Sequence, residues 1–189
     1  MLRAKAPSVK GMGLGVTLHL YAYPNTDPAR HEARIEMERK CMTSKGQMNI
    51  FKRIVFIILQ CTWGLLPTLI GSLFFIRLCH RYPHMGYRGC IDTQWNTRSG
   101  LSLGLFLFTP NDEIPDAAKI RVHEYGHSIQ SIVLGPLFLI IGLVSIAWGQ
   151  LPCFARLRWE KKLPYTACFV ESWASKWGEL VTGEEAIWQ

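Results

Sequence analysis

Two histidines four residues apart, with a glutamate beside the first, are the residues of this chain best suited to chemistry. They are His123, Glu124 and His127, in the segment Val-His-Glu-Tyr-Gly-His-Ser-Ile-Gln that covers residues 122–130. On an α-helix, side chains four apart project from one face, so both imidazoles can reach a single metal ion. Glu124 then lies close enough to a metal-bound water to take its proton. The pattern is typical of hydrolysis assisted by Zn²⁺, for which imidazole is a suitable ligand.

A catalytic zinc has three protein ligands and one position open to water, so the two histidines need a third partner. The remaining histidines are poorly placed, because two lie in a remote polar segment and two flank Pro83, which interrupts a helix. Glu171, in the segment Phe-Val-Glu-Ser-Trp-Ala-Ser-Lys-Trp-Gly, is the better candidate. Its apolar neighbours predict a buried carboxylate, and a buried carboxylate needs a metal or another partner.

The two segments together resemble the gluzincin branch of the zincin metallopeptidases, in which His-Glu-x-x-His is followed some tens of residues later by a Glu-x-x-x-Asp helix. His123, Glu124, His127 and Glu171 carry the resemblance, which covers residues 117–178. It implies a zinc peptidase in which the two histidines and Glu171 bind the metal and Glu124 activates water. Because an apolar segment adjoins the zinc helix, the chain is also similar to small membrane peptidases such as the CAAX prenyl proteases.

Other residues have expected supporting roles. Ser175 stands where the family usually has the aspartate that braces a zinc histidine, and a serine would accept that hydrogen bond more weakly, which predicts reduced metal affinity or activity. Gln130 shares the helical face of the histidines, which makes it a candidate for contact with a metal ligand or with substrate. An oxyanion donor is also expected, with Tyr165 and Tyr125 as the candidates.

The composition indicates an integral membrane protein. Apolar residues make up 49% of the chain and charged residues only 19%. Residues 54–76 and 128–155 carry no charged side chain, and each run exceeds the roughly 20 residues that a helix needs to cross the hydrocarbon core. The net charge of +7 is spread along the chain and not gathered around stacking aromatics. This argues against nucleic acid and favours anionic headgroups of a cell membrane beside the apolar runs.

The pattern also predicts the elements that hold the motif. Residues 54–76 should form a first membrane helix kinked at Pro67. Residues 90–95 and 101–109 should form one β hairpin, whose edge would pair with an extended substrate or simply pack on the fold. The zinc-motif helix should begin near Asp116, after Pro115.

The second apolar run should be kinked or broken at Gly135-Pro136, and a final amphipathic helix over residues 165–181 should carry Glu171. Two geometries can bring Glu171 back to the histidines. Either the second run spans the membrane and a helical or buried segment returns, or the run bends into a half-membrane hairpin.

We therefore predict a mainly α membrane protein with two hydrophobic helical segments, a zinc-motif helix, a C-terminal helix and a small β hairpin. Residues 1–47 should be a poorly ordered polar segment, with Met48 as an alternative start, and residues 48–189 a membrane-embedded metallopeptidase-like domain. The predicted function is zinc-dependent hydrolysis of a peptide or membrane-protein substrate at the bilayer. The alternative is a non-catalytic membrane protein with a structural or degenerate zinc site.

Overall fold

The structure, a computed structural model, describes residues 48–188, so the prediction of a poorly ordered segment over residues 1–47 lies outside it. The described part is mostly helical with a small sheet, which confirms the predicted fold class at that level. The helices are α1 (Ile50–Thr62), α2 (Leu65–Leu78), α3 (Ala117–Leu134), α4 (Phe138–Gln150), α5 (Pro152–Lys161) and α6 (Phe169–Thr182). The strands are β1 (His84–Tyr87), β2 (Cys90–Trp95), β3 (Leu101–Leu103) and β4 (Phe106–Pro110).

The first apolar run forms two helices and not one kinked span. α1 and α2 meet at 94° across Trp63 and Gly64, so the predicted kink at Pro67 is wrong in position. Pro67 instead lies in the first turn of α2, where a missing N–H and a fixed φ are tolerated. The break falls at Gly64 because the Gln60 side chain occupies the adjoining space, and a Cβ there would lie 2.4 Å from Gln60 Oε1.

A buried polar network holds this bend against α3. The Gln60 amide donates to the backbone carbonyl of Ser128 at 2.9 Å and lies 3.0 Å from its hydroxyl, and Ser131 donates to Gln60 Oε1 at 2.9 Å. Thr68 of α2 donates to the Gln60 carbonyl, which Gly64 at the break leaves accessible. Since Gln60 is fully buried, these bonds satisfy an amide that would otherwise be costly in an apolar setting.

The sheet has four strands in the order β1-β2-β4-β3, so the predicted single hairpin is wrong. β2 pairs with β4 in parallel, and the antiparallel partner of β4 is β3. The reason is Gly104, whose φ of 63° opens a two-residue turn inside the predicted second strand and folds it on itself. A second tight turn, through Arg88 and Gly89 at positive φ, joins β1 to β2.

An ion pair fixes α3 on the sheet. Arg121 of α3 donates through Nε to Asp92 of β2 at 2.7 Å and through Nη2 to Asp112 at 2.5 Å. Thr109 of β4 also donates to Asp92, at 2.8 Å. Because Arg121 and Asp92 are buried, each charge needs the other as its partner. This pairing fixes the rotation of α3 about its own axis relative to the sheet.

α3 and α4 continue through a 3-10 turn at Gly135–Leu137 and together form one long helix, Ala117–Gln150. The predicted break at Gly135-Pro136 is therefore an interruption that does not end the helix. Among residues 48–188 this is the helix long and apolar enough to cross a membrane, and the bent α1–α2 pair passes the same test only if taken as one span. Its two halves differ, because α3 is mostly buried in protein while α4 exposes apolar side chains.

The chain returns to α3 through helical elements. α5 folds back on α4, where the Arg158 guanidinium donates to the Trp148 carbonyl and lies over its ring. A 3-10 turn, Tyr165–Ala167, then leads into α6, which begins at Phe169 and not at residue 165 as predicted, because Cys168 is extended. Helical elements therefore bring Glu171 back to the histidines, and which of the two membrane geometries applies stays a prediction.

Candidate metal centre

The two histidines of the motif lie on the buried face of α3. Their rings are perpendicular, with centroids 4.8 Å apart, as spacing of four residues on a helix requires. Both side chains are nearly inaccessible, with His123 5% and His127 7% exposed. α3 begins at Ala117, immediately after Asp116, which matches the start expected from the sequence. Asp116 itself has a left-handed backbone conformation and makes no side-chain capping hydrogen bond. Burial of α3 therefore contributes more to the stability of the helix than its N-terminal cap does.

α6 packs antiparallel to α3 at very close range, and this contact brings Glu171 to the histidines. A Cβ on Gly126 would lie 1.8 Å from the Ala174 carbonyl oxygen, and a Cβ on Gly178 would lie 2.2 Å from the Val122 carbonyl oxygen. Glycine is therefore required at both crossing points.

Glu171 Oε2 lies 3.0 Å from His123 Nε2 and 3.4 Å from His127 Nε2. The three potential ligand atoms all lie within 4.8 Å of one another. Ligands with bonds of 2.0–2.2 Å in a tetrahedral arrangement are about 3.3 Å apart, so the observed separations are those of groups that could share one ion. Glu171 is 1% exposed, and its second oxygen, Oε1, has no hydrogen-bond partner among the described residues.

The partners of each outer ring nitrogen decide where the imidazole protons lie. Gln130 donates through Nε2 to the Val170 carbonyl at 3.0 Å, which orients its amide oxygen towards His127 Nδ1 at 2.8 Å. An amide oxygen only accepts, so His127 Nδ1 carries the proton. In the neutral ring, Nε2 of His127 then carries a lone pair directed at Glu171.

Ser175 has the same effect on His123. Its hydroxyl donates to the Ile187 carbonyl at 2.8 Å, and His123 Nδ1 lies 2.9 Å from the same oxygen. A hydroxyl has a single proton, so Ser175 accepts from His123 Nδ1–H. In the neutral ring, Nε2 of His123 is consequently unprotonated as well.

Nε2 of each neutral ring and Glu171 Oε2 therefore converge on one point. A proton on an imidazole Nε2 satisfies this arrangement by donating to Glu171, and a cation that binds all three atoms satisfies it as well. Two imidazole nitrogens and one carboxylate oxygen form the donor set that suits Zn²⁺. Burial raises the pKa of the Glu171 carboxyl, but hydrogen bonding with His123 and His127 outweighs it and holds the pKa well below the usual range. Glu171 also lies in the first turn of α6, where the helix dipole favours a negative charge. The residues present fit a divalent metal.

Glu124 lies next to this cluster, 6% exposed. Its carboxylate is packed against Gly100, where a Cβ would lie 2.1 Å from Glu124 Oε1. Gly100 directly precedes β3, so the edge strand of the sheet begins beside the carboxylate. The arrangement places a second carboxylate within the same buried pocket of α3 without making it a ligand.

The two tyrosines proposed as oxyanion donors lie in different places. Tyr125 is fully buried on the opposite side of α3, stacked with Phe56 and directed at the Arg88 carbonyl, so that suggestion is wrong. Tyr165 lies on the α4 side of the centre, near Ser145, and no hydrogen bond joins it to the three ligands within residues 48–188. Burial and the Glu171 charge raise the pKa of Tyr165 to about 12, so its phenol stays a proton donor.

The sequence correctly predicted that Glu171 is buried, but its apolar neighbours explain this only in part. Val170 is buried, whereas Phe169 and Trp173 point outwards, 53% and 44% exposed, and α3 covers the carboxylate. Reasoning from the sequence also missed Gly100 and the Ile187 carbonyl, because a glycine in a loop and a backbone oxygen carry no pattern of their own. The small residues on one face of α6, Ala174 and Gly178, were an available signal for close helix packing.

Comparison of the chain with family models, curated proteins and solved structures gives no match. The case for a function accordingly depends on the geometry of this centre.

Proposed function

We propose that this protein is a membrane-bound, zinc-dependent peptidase. The observation that carries the proposal is the convergence of two imidazole nitrogens and the Glu171 carboxylate on one point, with Glu124 beside them. A divalent cation would be bound by all three groups at once. Glu124, which is not one of the three ligands, would be available to move a proton.

His123, His127 and Glu171 would hold the ion. When bound, Zn²⁺ would supply Lewis-acid polarisation of a carbonyl and lower the pKa of water towards neutrality. Gln130 and Ser175 orient the two imidazoles through their Nδ1–H groups, which also increases the basicity of Nε2. These two contacts support the proposal that Gln130 and Ser175 help to hold the ligands.

Glu124 would act as the general base and acid. It would take a proton from the attacking water as the water oxygen bonds to the peptide carbonyl carbon. When the C–N bond breaks, the same carboxyl group would pass that proton to the leaving amine. Gly100 supports this role, because it leaves the carboxylate the space it occupies. Tyr165, as a protonated phenol on the α4 side, is proposed as the donor to the developing oxyanion.

The edge strand β3 would bind an extended substrate. It is the outermost strand of the sheet on the side of α3, and it starts next to Glu124. An extended peptide paired with this edge would pass the carboxylate and the three ligands. The proposed substrate is therefore a peptide or an unfolded segment of a membrane protein.

The surface supports placement in a lipid bilayer, proposed here to be the cell membrane. In the most apolar 18-residue stretch of Ala117–Gln150, only 11% of the residues are buried. Large apolar side chains are exposed along α4 itself, including Ile140 and Leu143, and along α1 and α2, including Ile58 and Leu73. In water these residues would form an extensive apolar surface, which soluble monomers rarely have.

Metal analysis and one substitution test the proposal together. The native chain, purified and reconstituted in vesicles containing phosphatidylglycerol, should hold about one zinc per chain and cleave members of a library of internally quenched peptides. Glu124→Gln should keep the zinc and lose about 10²- to 10⁴-fold in kcat, because proton transfer is removed while the ligands stay. Glu160→Gln, an exposed change on α5, is the matched control and should leave both measurements unaltered.

A non-catalytic protein with a structural zinc site is the second candidate. The observation favouring it is that the side chains of the site are almost completely buried. Each is at most 7% exposed, namely His123, Glu124, His127 and Glu171. Stoichiometric zinc in a native chain that cleaves no peptide in the library would support this alternative and reject the peptidase. A native chain without zinc would reject both.

A further inference from the structure

A strap formed by residues 183–188 lies against α6 after that helix ends at Thr182. Gly183, at φ 72°, reverses the chain direction. Ala186, at the middle of the strap, is 4% exposed. Burial of a short segment without regular secondary structure indicates that specific bonds hold it.

Two carboxylates anchor the strap at points away from the metal ligands. Glu179 Oε1 accepts from the Ala186 backbone N–H at 3.1 Å and from Trp188 Nε1 at 2.7 Å. Glu184 accepts from Arg88 at 2.9 Å, which joins the strap to the β1–β2 turn. The path of the strap is therefore determined independently of the centre.

The strap reaches the centre through one backbone group. The Ile187 carbonyl accepts the Ser175 hydroxyl proton at 2.8 Å, and this bond leaves Ser175 only as an acceptor for His123 Nδ1–H. An aspartate at residue 175 would accept the histidine proton directly, but its charge would face the Ile187 carbonyl. Ser175 and the strap carbonyl thus form a two-member replacement for a single bracing carboxylate.

We propose that the strap sets the metal affinity of the centre by holding Ser175 as an acceptor, and through it the orientation and tautomer of His123. This inference rests on the proposed metal centre, but not on peptide hydrolysis. Glu179 is a positioning residue in this scheme, because it acts through the strap and contacts none of the three ligands. When the strap is released, Ser175 is free to donate towards His123 Nδ1, and the Nε2 lone pair is no longer assured.

The test measures Zn²⁺ affinity by competition with a chromophoric chelator, using the full chain in detergent. Ser175→Ala and Glu179→Ala should each weaken zinc binding by about 10- to 100-fold, the usual effect of removing a partner that orients a ligand. The double variant should be no weaker than Ser175→Ala alone, because both changes break the same chain of bonds. Glu179→Gln should restore native affinity, since its amide oxygen still accepts both strap donors. Ser172→Ala, an exposed serine on α6, is the matched control.

A second measurement checks that the strap itself moves. Zinc should slow hydrogen exchange at the Ala186 amide in the native chain, since coupling between two sites is reciprocal. Native zinc affinity in Glu179→Ala, or additive losses in the double variant, would overturn the strap inference and leave the peptidase proposal intact. Loss of affinity in both single variants without any peptide cleavage by the native chain would support the strap and reject the peptidase. A native chain that binds no zinc would overturn both.

Discussion

Gly100 offers the sharpest separation between metal binding and catalysis. A methyl group at this position would lie 2.1 Å from Glu124 Oε1, whereas ordinary van der Waals contact begins at 3.4 Å. Gly100→Ala must therefore displace the carboxylate by at least 3.4 − 2.1 = 1.3 Å. The added carbon would also lie 2.6 Å from Glu124 Cγ and Cδ, so the whole side chain must change rotamer while the backbone stays in place. We therefore expect a modest fall in the free energy of unfolding.

The catalytic effect should be much larger than the effect on stability. A misplacement of about 1 Å at a reacting group can lower the rate by about 10²-fold, so we expect kcat to fall by about that factor. The atoms nearest to the added carbon belong to Glu124 and not to the three proposed ligands, so zinc affinity should be native. The assay compares kcat on a quenched peptide with zinc affinity and thermal denaturation of the same preparation.

Gly86→Ala is the matched control, because a Cβ there meets nothing within 4 Å. Native kcat in Gly100→Ala would refute the reasoning, since Glu124 could not then be the group that moves the proton from its observed position. If the zinc content of Gly100→Ala fell in parallel with kcat, the reasoning would also be refuted, because the substitution would then act on the metal ligands and not on Glu124.

Three further predictions concern the packing around the centre. Gly126→Ala should destabilise the protein and abolish stoichiometric zinc, because its methyl group would meet the rigid Ala174 carbonyl at 1.8 Å, as denaturation and metal analysis would show. Gln130→Leu should weaken zinc binding by about 10- to 100-fold in chelator competition, because His127 loses the acceptor that fixes its proton. Gln60→Leu should lower the free energy of unfolding by about 1–3 kcal/mol in a denaturant titration, because buried groups on α3 lose their partner. A zinc affinity unchanged in Gln130→Leu, a native metal content in Gly126→Ala or an unchanged unfolding midpoint in Gln60→Leu would contradict the respective argument.

Features set by short-range geometry were predictable from the sequence. The histidines share a face because helical spacing is local, and the helix start near Asp116 and the interruption at Gly135-Pro136 follow from residue type. Glu171 was predictable because its spacing from the first motif and its apolar setting are both visible in the chain. The outward direction of Trp173 was not, because that depends on which face of α6 meets α3.

Features set by distant partners were not predictable. The strand pairing depends on which segments meet, and alternating side chains over residues 101–109 indicate a strand without indicating its neighbour. The 94° bend is decided by Gln60 and its contacts with α3, 68 to 71 residues along the chain. The kink was predicted at Pro67 because the effect of proline on a helix is local and can be read from the sequence. The buried polar contacts of Gln60 with α3 form only in the completed fold.

The continuation of α3 into α4 across the 3-10 turn has a consequence for what the proposed peptidase would cut. His127 precedes the first residue of α4, Phe138, by eleven positions, which at about 1.5 Å per residue places the ligands some 16 Å along the helix axis from the apolar half. If α4 lies in lipid, the helix formed by α3 and α4 would hold the reacting groups at a constant height relative to the bilayer. Scissile bonds would then be chosen first by their elevation above the membrane and only afterwards by the side chains that flank them.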